Sequence, residues 1–258
     1  MSIEERVSLK KVTEEEIFWL TEIAKNAFML EEDPKPSAPR GIDSIKQHTK
    51  FIDYWDYYKI GLDVYTAGGI MVASRGEDHC ELISIYVDPE YQRQGVGTEA
   101  LRKALEIYPA KIWTLGAHAN DEACMEFFKS NEFNVVGVTF NEKLEKINWM
   151  ERKLGPFSPL KIGELEEGQG NVFVEGRITE KADARAVRGR RPGQSLSVAD
   201  AGFEDESGRI VLTLWNEQIR LIQEGDRCRI ENGYVGAYRG VKQLSGGKSG
   251  HVIKLNDR

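Results

Sequence analysis

Between Ile17 and Phe28 the apolar residues Ile17, Leu20, Ile23, Ala24, Ala27 and Phe28 recur at three- and four-residue steps, the spacing that lines one face of a helix. Thr13-Glu14-Glu15-Glu16 precedes them with the hydroxyl and carboxylate of a capping box, so the helix is predicted to open there, after a short strand over residues 7–12. Residues 31–40 carry three prolines and read as a loop, and residues 42–58 return to a helical, aromatic-rich pattern. Residues 64–66 and 70–74 resemble strands of a hairpin turning at Gly68-Gly69. A strand over 81–87, a helix over 98–108 closed by Pro109, a strand over 112–115, a helix over 121–130 and strands over 135–140 and 147–153 complete this part.

Past Gly155-Pro156-Phe157-Ser158-Pro159 the pattern changes to strands without long helices. They are expected over 171–179, 196–199, 209–215 and 228–235, with a short pair near Val241 and Val252 and one small helix over 218–222. Five strands in about 100 residues, with a single helix between the third and fourth, fit a partly open Greek-key barrel of the OB type. The predicted division is therefore an α+β domain over 1–154, a linker over 155–159 and an all-β domain over 160–258. A length of 258 residues leaves room for two cores.

Charge sharpens the division. Residues 1–157 hold 19 basic and 27 acidic side chains, whereas residues 158–258 hold 16 and 15, with Arg185, Arg188, Arg190 and Arg191 crowded together. An apolar share of 40% with 30% charged residues suits a globular chain, and no apolar run approaches a membrane span. A charged start without a signal-like stretch points to the cytoplasm. Three scattered cysteines and four histidines supply neither a disulfide framework nor a metal-ligand cluster, so no metal is expected.

Gly95-Val96-Gly97-Thr98-Glu99-Ala100 satisfies the G-x-G-x-x-A form of a dinucleotide turn. In that fold the first glycine follows its strand almost at once. Here residues 88–94, including Pro89, intervene, and no acidic residue closes the next strand. A loop that curls its backbone N–H groups around a phosphate, backed by a helix N-terminus, fits better. The strand over 81–87, the loop Gln92-Arg93-Gln94-Gly95-Val96-Gly97 and the helix after it resemble the acetyl-CoA site of the GNAT superfamily of N-acetyltransferases, across most of residues 7–153. That resemblance implies a mixed central sheet with flanking helices. It also implies that amides from Arg93 to Thr98, with Gln92, Gln94 and Val96 among the loop residues, hold a pyrophosphate, while the strand edge Ile85, Tyr86 and Val87 pairs with the pantetheine arm.

A second stretch, Asn120 to Phe133, is similar to the family's N-x-x-S/A-x-x-F-Y/F-x-x-x-G-F motif, with departures. Asn120 lies one residue early, so either Asn120 or Asp121 caps the helix and reaches the cofactor. Glu132 replaces a glycine, which implies a modified turn. Phe128 stands where many members have a tyrosine that protonates the departing thiolate. Acetyl transfer needs a neutral amine, hence a base. Glu81 resembles the glutamate that some members use, and alternation places it on the face of Ile83, Ile85 and Val87; His118 is the alternative.

In Arg209 to Trp215, alternation puts Ile210, Leu212 and Leu214 on one face and Val211, Thr213 and Trp215 on the other. Outward aromatics beside arginines suit stacking on unpaired bases. Residues 205–244 resemble the OB fold of archaeal single-stranded-DNA-binding proteins, themselves similar to replication-protein-A modules. This implies that Trp215, Tyr234 and Tyr238 form a stacking platform, with a bulge near Gly233 turning Tyr234 outward, and that Arg188, Arg190 and Arg191 reach backbone phosphate. The combined expectation is an acetyl-CoA-dependent transferase acting on an amine, a protein lysine or N-terminus, and joined to a module for single-stranded nucleic acid. The alternative is a nucleic-acid-binding protein whose first domain binds acyl-CoA without transfer.

Overall fold

The computed structural model describes residues 2–30, 33–35, 37–189, 195–247 and 249–256. Its contacts divide into two compact units, Met1–Asn134 with Glu151–Pro156, and Val135–Met150 with Phe157–Arg258. Among the described residues no helix is long and apolar enough to cross a membrane.

The first unit runs α1 (Ile3–Arg6), β1 (Val7–Lys11), α2 (Ile17–Phe28), β2 (Met29–Leu30), β3 (Asp33–Pro34), α3 (Ile45–Tyr54), β4 (Asp56–Leu62), β5 (Tyr65–Ser74), β6 (His79–Val87), α4 (Val96–Ile107), β7 (Ile112–His118) and α5 (Glu122–Ser130). The sheet order is β1-β4-β5-β6-β7, antiparallel until the last pair, which is parallel. The capping box at Thr13 and Glu16 forms as expected, and α2 buries Leu20, Ala24 and Phe28 with Phe51, Tyr57, Met71 and Tyr86.

Two local expectations are corrected. The aromatic run 42–58 is helical only to Tyr54, because Tyr57 and Tyr58 belong to β4 and are buried on it. Gly68-Gly69 is no turn but the middle of β5. A Cβ on Gly68 would lie 2.1 Å from the Tyr86 carbonyl oxygen and one on Gly69 2.5 Å from the Tyr86 hydroxyl, so both glycines let β6 and the tyrosine ring lie close against the strand. The hairpin turns instead at Asp63-Val64, with Asp63 at φ 53°.

The second unit contains most of β8 (Asn134–Phe140) and β9 (Lys146–Lys153), followed by β10 (Val172–Lys181), β11 (Arg185–Arg188), β12 (Ser195–Asp205), β13 (Gly208–Trp215), α6 (Glu217–Leu221), β14 (Arg227–Tyr238), β15 (Val241–Ser245) and β16 (His251–Leu255). Pairings β10–β12, β12–β13, β13–β15, β15–β14 and β14–β10 return to their start. The expected partly open barrel is therefore a closed ring, sealed by β15, which runs parallel to β13 and antiparallel to β14. Its interior is filled by residues such as Val174, Phe203, Leu212, Leu214, Ile230 and Leu244.

The sequence pattern groups residues 135–150 with the first domain; by contacts they pack with the second unit. Lys254 and Leu255 of β16 pair with Val138 and Gly137 of β8, and Trp149 packs with Ile253 and Leu255. The Trp149 indole donates to the buried Glu231 carboxylate at 2.9 Å. Arg229 also donates to that carboxylate, at 3.3 Å, and to Glu175 at 2.6 Å, so the buried charges are matched.

α5 ends in a Schellman motif: the Phe133 amide donates to the Phe128 carbonyl and the Glu132 amide to that of Lys129, both at 3.0 Å, with the two phenyl rings 5.7 Å apart. The motif needs a left-handed residue at Glu132, whose φ is 67°. Glycine adopts that conformation without the side-chain clash, so Glu132→Gly should raise unfolding free energy by about 0.5–1 kcal/mol in denaturant titration. Glu132 also pairs with the Arg152 guanidinium, and an unchanged or lower midpoint would show that this ion pair outweighs the backbone strain.

Candidate acyl-donor cleft and nucleic-acid face

Strands β6 and β7 pair over three residues only, His79 with Ile112, Cys80 with Trp113 and Glu81 with Thr114. Just beyond, Met71 of β5 pairs with Ser84 while Val72 pairs with Leu82, so Ile83 is an extra residue in β6. Such a bulge bends its strand and strengthens its twist. From Leu82 onward the two strands part, and a cavity of about 530 Å³ opens between Leu82–Val87 on one wall and Leu115 and Gly116 on the other.

The glycine loop closes one end. The Asp88 carboxylate accepts from the Glu90 amide at 3.0 Å, and the Gln92 side chain donates to the Val87 carbonyl at 2.7 Å, folding the chain back on the strand it has just left. Arg93 and Gly95 both have left-handed φ, 61° and 84°. Left-handed residues set among right-handed ones make successive N–H groups converge. The first backbone bond of α4 joins the Glu99 amide to the Gly95 carbonyl at 3.0 Å, so the amides of Val96, Gly97 and Thr98 precede the helical ladder. A Cβ on Gly97 would lie 3.3 Å from Phe127 Cε2 and 3.6 Å from Val87 Cγ2, so the loop is seated against both walls. This cradle fits a pyrophosphate, and the neighbouring strand edge fits an amide-bearing arm.

Of the expected cofactor residues, Ile85, Tyr86, Val87, Gln92, Arg93, Gly95, Gly97, Thr98, Asp121 and Phe128 line the cavity, whereas Gln94, Val96 and Asn120 do not. The choice left open between Asn120 and Asp121 falls to Asp121, which caps α5 by accepting from the Cys124 amide at 3.0 Å. Lys35 and Ser37 also line the cavity and were not anticipated. They lie in the proline-rich loop, which carries no spacing signal, and the Ser37 hydroxyl donates to Asp121 at 2.5 Å.

Glu81 is placed otherwise than expected. The extra residue at Ile83 breaks the alternation, so Glu81, opposite Ala73, shares the face of Ser84, opposite Met71, rather than that of Ile85 and Val87. Glu81 is 7% exposed, lies outside the cavity lining, and accepts from the Arg75 guanidinium at 2.7 and 2.8 Å. His118, at the end of β7, is buried and likewise outside the lining.

On the barrel, Ile210, Leu212 and Leu214 enter the core as expected. Register carries the opposite face across three strands: Thr213 of β13 beside Ser245 of β15, and Ser245 beside Tyr234 of β14, with Val211, Gln243 and Gly236 in the next row. Trp215 lies one step beyond Thr213 and Tyr238 one step beyond Gly236, so Trp215, Tyr234 and Tyr238 share one outer surface. The bulge expected near Gly233 is present: Val172 pairs with Gly233 but Val174 with Ile230, and Asn232 takes φ 52°. Tyr234 and Tyr238 are 52% and 54% exposed. Arg239 and Gly240, both at positive φ, form the two-residue turn from β14 to β15, and the Arg239 guanidinium lies 5.2 Å from the Tyr238 ring centre. Arg188 is exposed at the end of β11, while Arg190 and Arg191 lie outside the described residues.

Comparison with known proteins gives two family matches. Residues 21–133 match the acetyltransferase (GNAT) family and residues 171–254 the Ssb-like OB fold of single-stranded DNA binding proteins. The chain carries a GNAT acetyltransferase domain and an Ssb-like OB domain. The single-stranded DNA binding protein Ssb of Saccharolobus solfataricus is 32% identical over 97 residues, 38% of this chain, and the match spans 64% of that relative's length. Similar solved structures include the PaiA N-acetyltransferase of Thermoplasma acidophilum in complex with coenzyme A, 20% identical, TM-score 0.47, covering 59% of this chain and 99% of that one. An OB domain of Thermoplasma acidophilum solved by NMR is 27% identical, TM-score 0.32, covering 38% of this chain and 88% of that one. The GNAT match stops just before the 135–150 hairpin that packs with the OB unit.

The position of Glu81 yields a test. Glu81→Gln should leave the pH dependence of turnover unchanged while lowering stability by about 1–3 kcal/mol, the usual effect of removing one partner from a buried charged hydrogen bond. A turnover loss concentrated at low pH, with stability preserved, would return Glu81 to the role of base.

Proposed function

We propose that the GNAT domain transfers the acetyl group of acetyl-CoA to a protein amine, and that the OB domain holds single-stranded nucleic acid so that the acceptor is modified near it. The observation that carries the first half is the parting of β6 and β7 beside the left-handed loop at Arg93 and Gly95. Acetyl-CoA supplies a thioester carbonyl open to attack by an amine. The amides of Arg93 to Thr98 hold its pyrophosphate, and the edge of Ile85 to Val87, with no β7 partner there, takes the pantetheine arm and aims an N–H at the carbonyl oxygen. Phe127 and Phe128 line the cavity with apolar surface and limit water there.

In the OB domain Trp215, Tyr234 and Tyr238 stack unpaired bases, and the exposed Arg188 meets phosphate. Each stacked base is worth about 1–3 kcal/mol. Trp215→Ala or Tyr238→Ala should therefore weaken oligo-dT binding about fivefold or more at low salt in a fluorescence titration. Affinity unchanged in both variants would place the binding surface elsewhere.

The decisive experiment for transfer is mass spectrometry of protein amines after incubating the full chain with acetyl-CoA and a lysate. New acetylation that is lost on Gly97→Val supports the reading; thiol release or acetylation absent at every pH would favour the alternative, acyl-CoA binding without transfer, to which Phe128 lends weight. The pH profile separates acceptors. With a neutral amine as nucleophile, turnover should rise towards a plateau near the amine's own pKa, about 8 for an N-terminus and about 10 for a lysine.

A further inference from the structure

The loop after β3 brings a cation to the cavity. The backbone amide of Lys35 donates to the Phe28 carbonyl at 2.6 Å, and its ammonium donates to the Ala27 carbonyl at 2.7 Å. Both carbonyls lie at the C-terminal end of α2, the end of a helix that favours positive charge. Lys35 is thus held through main chain and side chain, and the Ala27 bond uses one of three ammonium N–H donors. Among the cavity-lining residues the cations are Lys35 and Arg93, and Arg93 belongs to the loop at the far end of β6.

Lys35 lines the same cavity as Phe128, which has no proton to give. Cys124 and Phe128 are four residues apart on α5 and both line the cavity, so the Cys124 sulfur marks the surroundings of Phe128. Burial, and after it Asp121, pushes the Cys124 thiol up to about 12, while Lys35 pulls in the opposite direction. Lys35, Cys124 and Phe128 line one cavity. Phe128 carries no proton to give, and the Ser37 hydroxyl is engaged by Asp121.

We infer that Lys35 is the residue that stabilises the departing sulfur, a role that rests on the acetyltransferase reading and that a tyrosine at position 128 would otherwise fill. As the amine nitrogen bonds to the carbonyl carbon, the carbon–sulfur bond breaks and its electron pair stays on sulfur. The Lys35 ammonium offsets that charge until the thiolate takes a proton from water, which balances the proton lost by the amine. A charge-assisted contact of this kind is strong in a cavity shielded from solvent.

The test compares coenzyme A with its S-methyl thioether, which cannot ionise, by calorimetry on the full chain at pH 7 and pH 9. In the wild type, coenzyme A should tighten relative to the thioether by about tenfold across this range, because a free thiol ionises near 8.5 and the bound thiolate is favoured. Lys35→Met should abolish that difference and leave thioether affinity within about twofold, and Lys35→Arg should retain it. A tenfold tightening that persists in Lys35→Met overturns the proposal while the acetyltransferase reading stands; failure of the wild type to bind either ligand overturns both.

Discussion

The three-residue pairing of β6 with β7 is the constraint on which the GNAT domain depends. A longer parallel ladder would satisfy the backbone of Leu82–Val87 and leave no space between the strands. A shorter one would leave Glu81 and Thr114 without the frame that joins the two sides of the domain. The bulge at Ile83 sets where pairing stops, and its position is tied to β5, whose adjacent glycines let Tyr86 lie flat across it. The loop at Gly95 and Gly97 then folds back against Val87 and Phe127, so cleft, left-handed loop and helix start lie together beside one departure in strand register.

In the OB domain the comparable device is the bulge between Ile230 and Gly233. Without it, strict alternation would send Tyr234 into the interior with Ile230, where Val235 now sits buried. The extra residue carries β14 from serving the barrel interior to presenting an aromatic surface, while β15 closes the ring. β14 also supplies Arg229 and Glu231, whose buried charges are satisfied through Glu175 and the Trp149 indole. The unit thus relies on a hairpin that precedes the apparent linker.

Much of this was legible in the sequence. Helical spacing places α2, α4 and α5, alternation places the core row of β13, and the glycine loop lies at the start of α4 after a long approach from its strand. What escaped depends on partners distant in the chain. Alternation aims Glu81 at the face of Ile85 and Val87, but the one-residue bulge at Ile83 inverts every position before it and leaves no sign in the alternation. Gly68-Gly69 reads as a turn unless the ring of Tyr86 is known to cross it. Lys35 and Ser37 sit in an irregular loop, where no periodicity links a side chain to the cavity it lines. The hairpin of residues 135–150 reads as the end of the first domain, and its contacts with Glu231, Ile253 and Leu255 lie far along the chain, where no local pattern points to them.

The proposed transfer requires an acyl-CoA arm on the free edge of β6. Amide hydrogen exchange of the full chain, with and without coenzyme A, reports on that edge directly. Slowed exchange is expected at residues 82–87 and 93–98 alone, with the barrel strands β12 to β15 unchanged. Slowing that spares residues 82–87 while coenzyme A is demonstrably bound would contradict it, because the ligand would then lie outside the gap between β6 and β7.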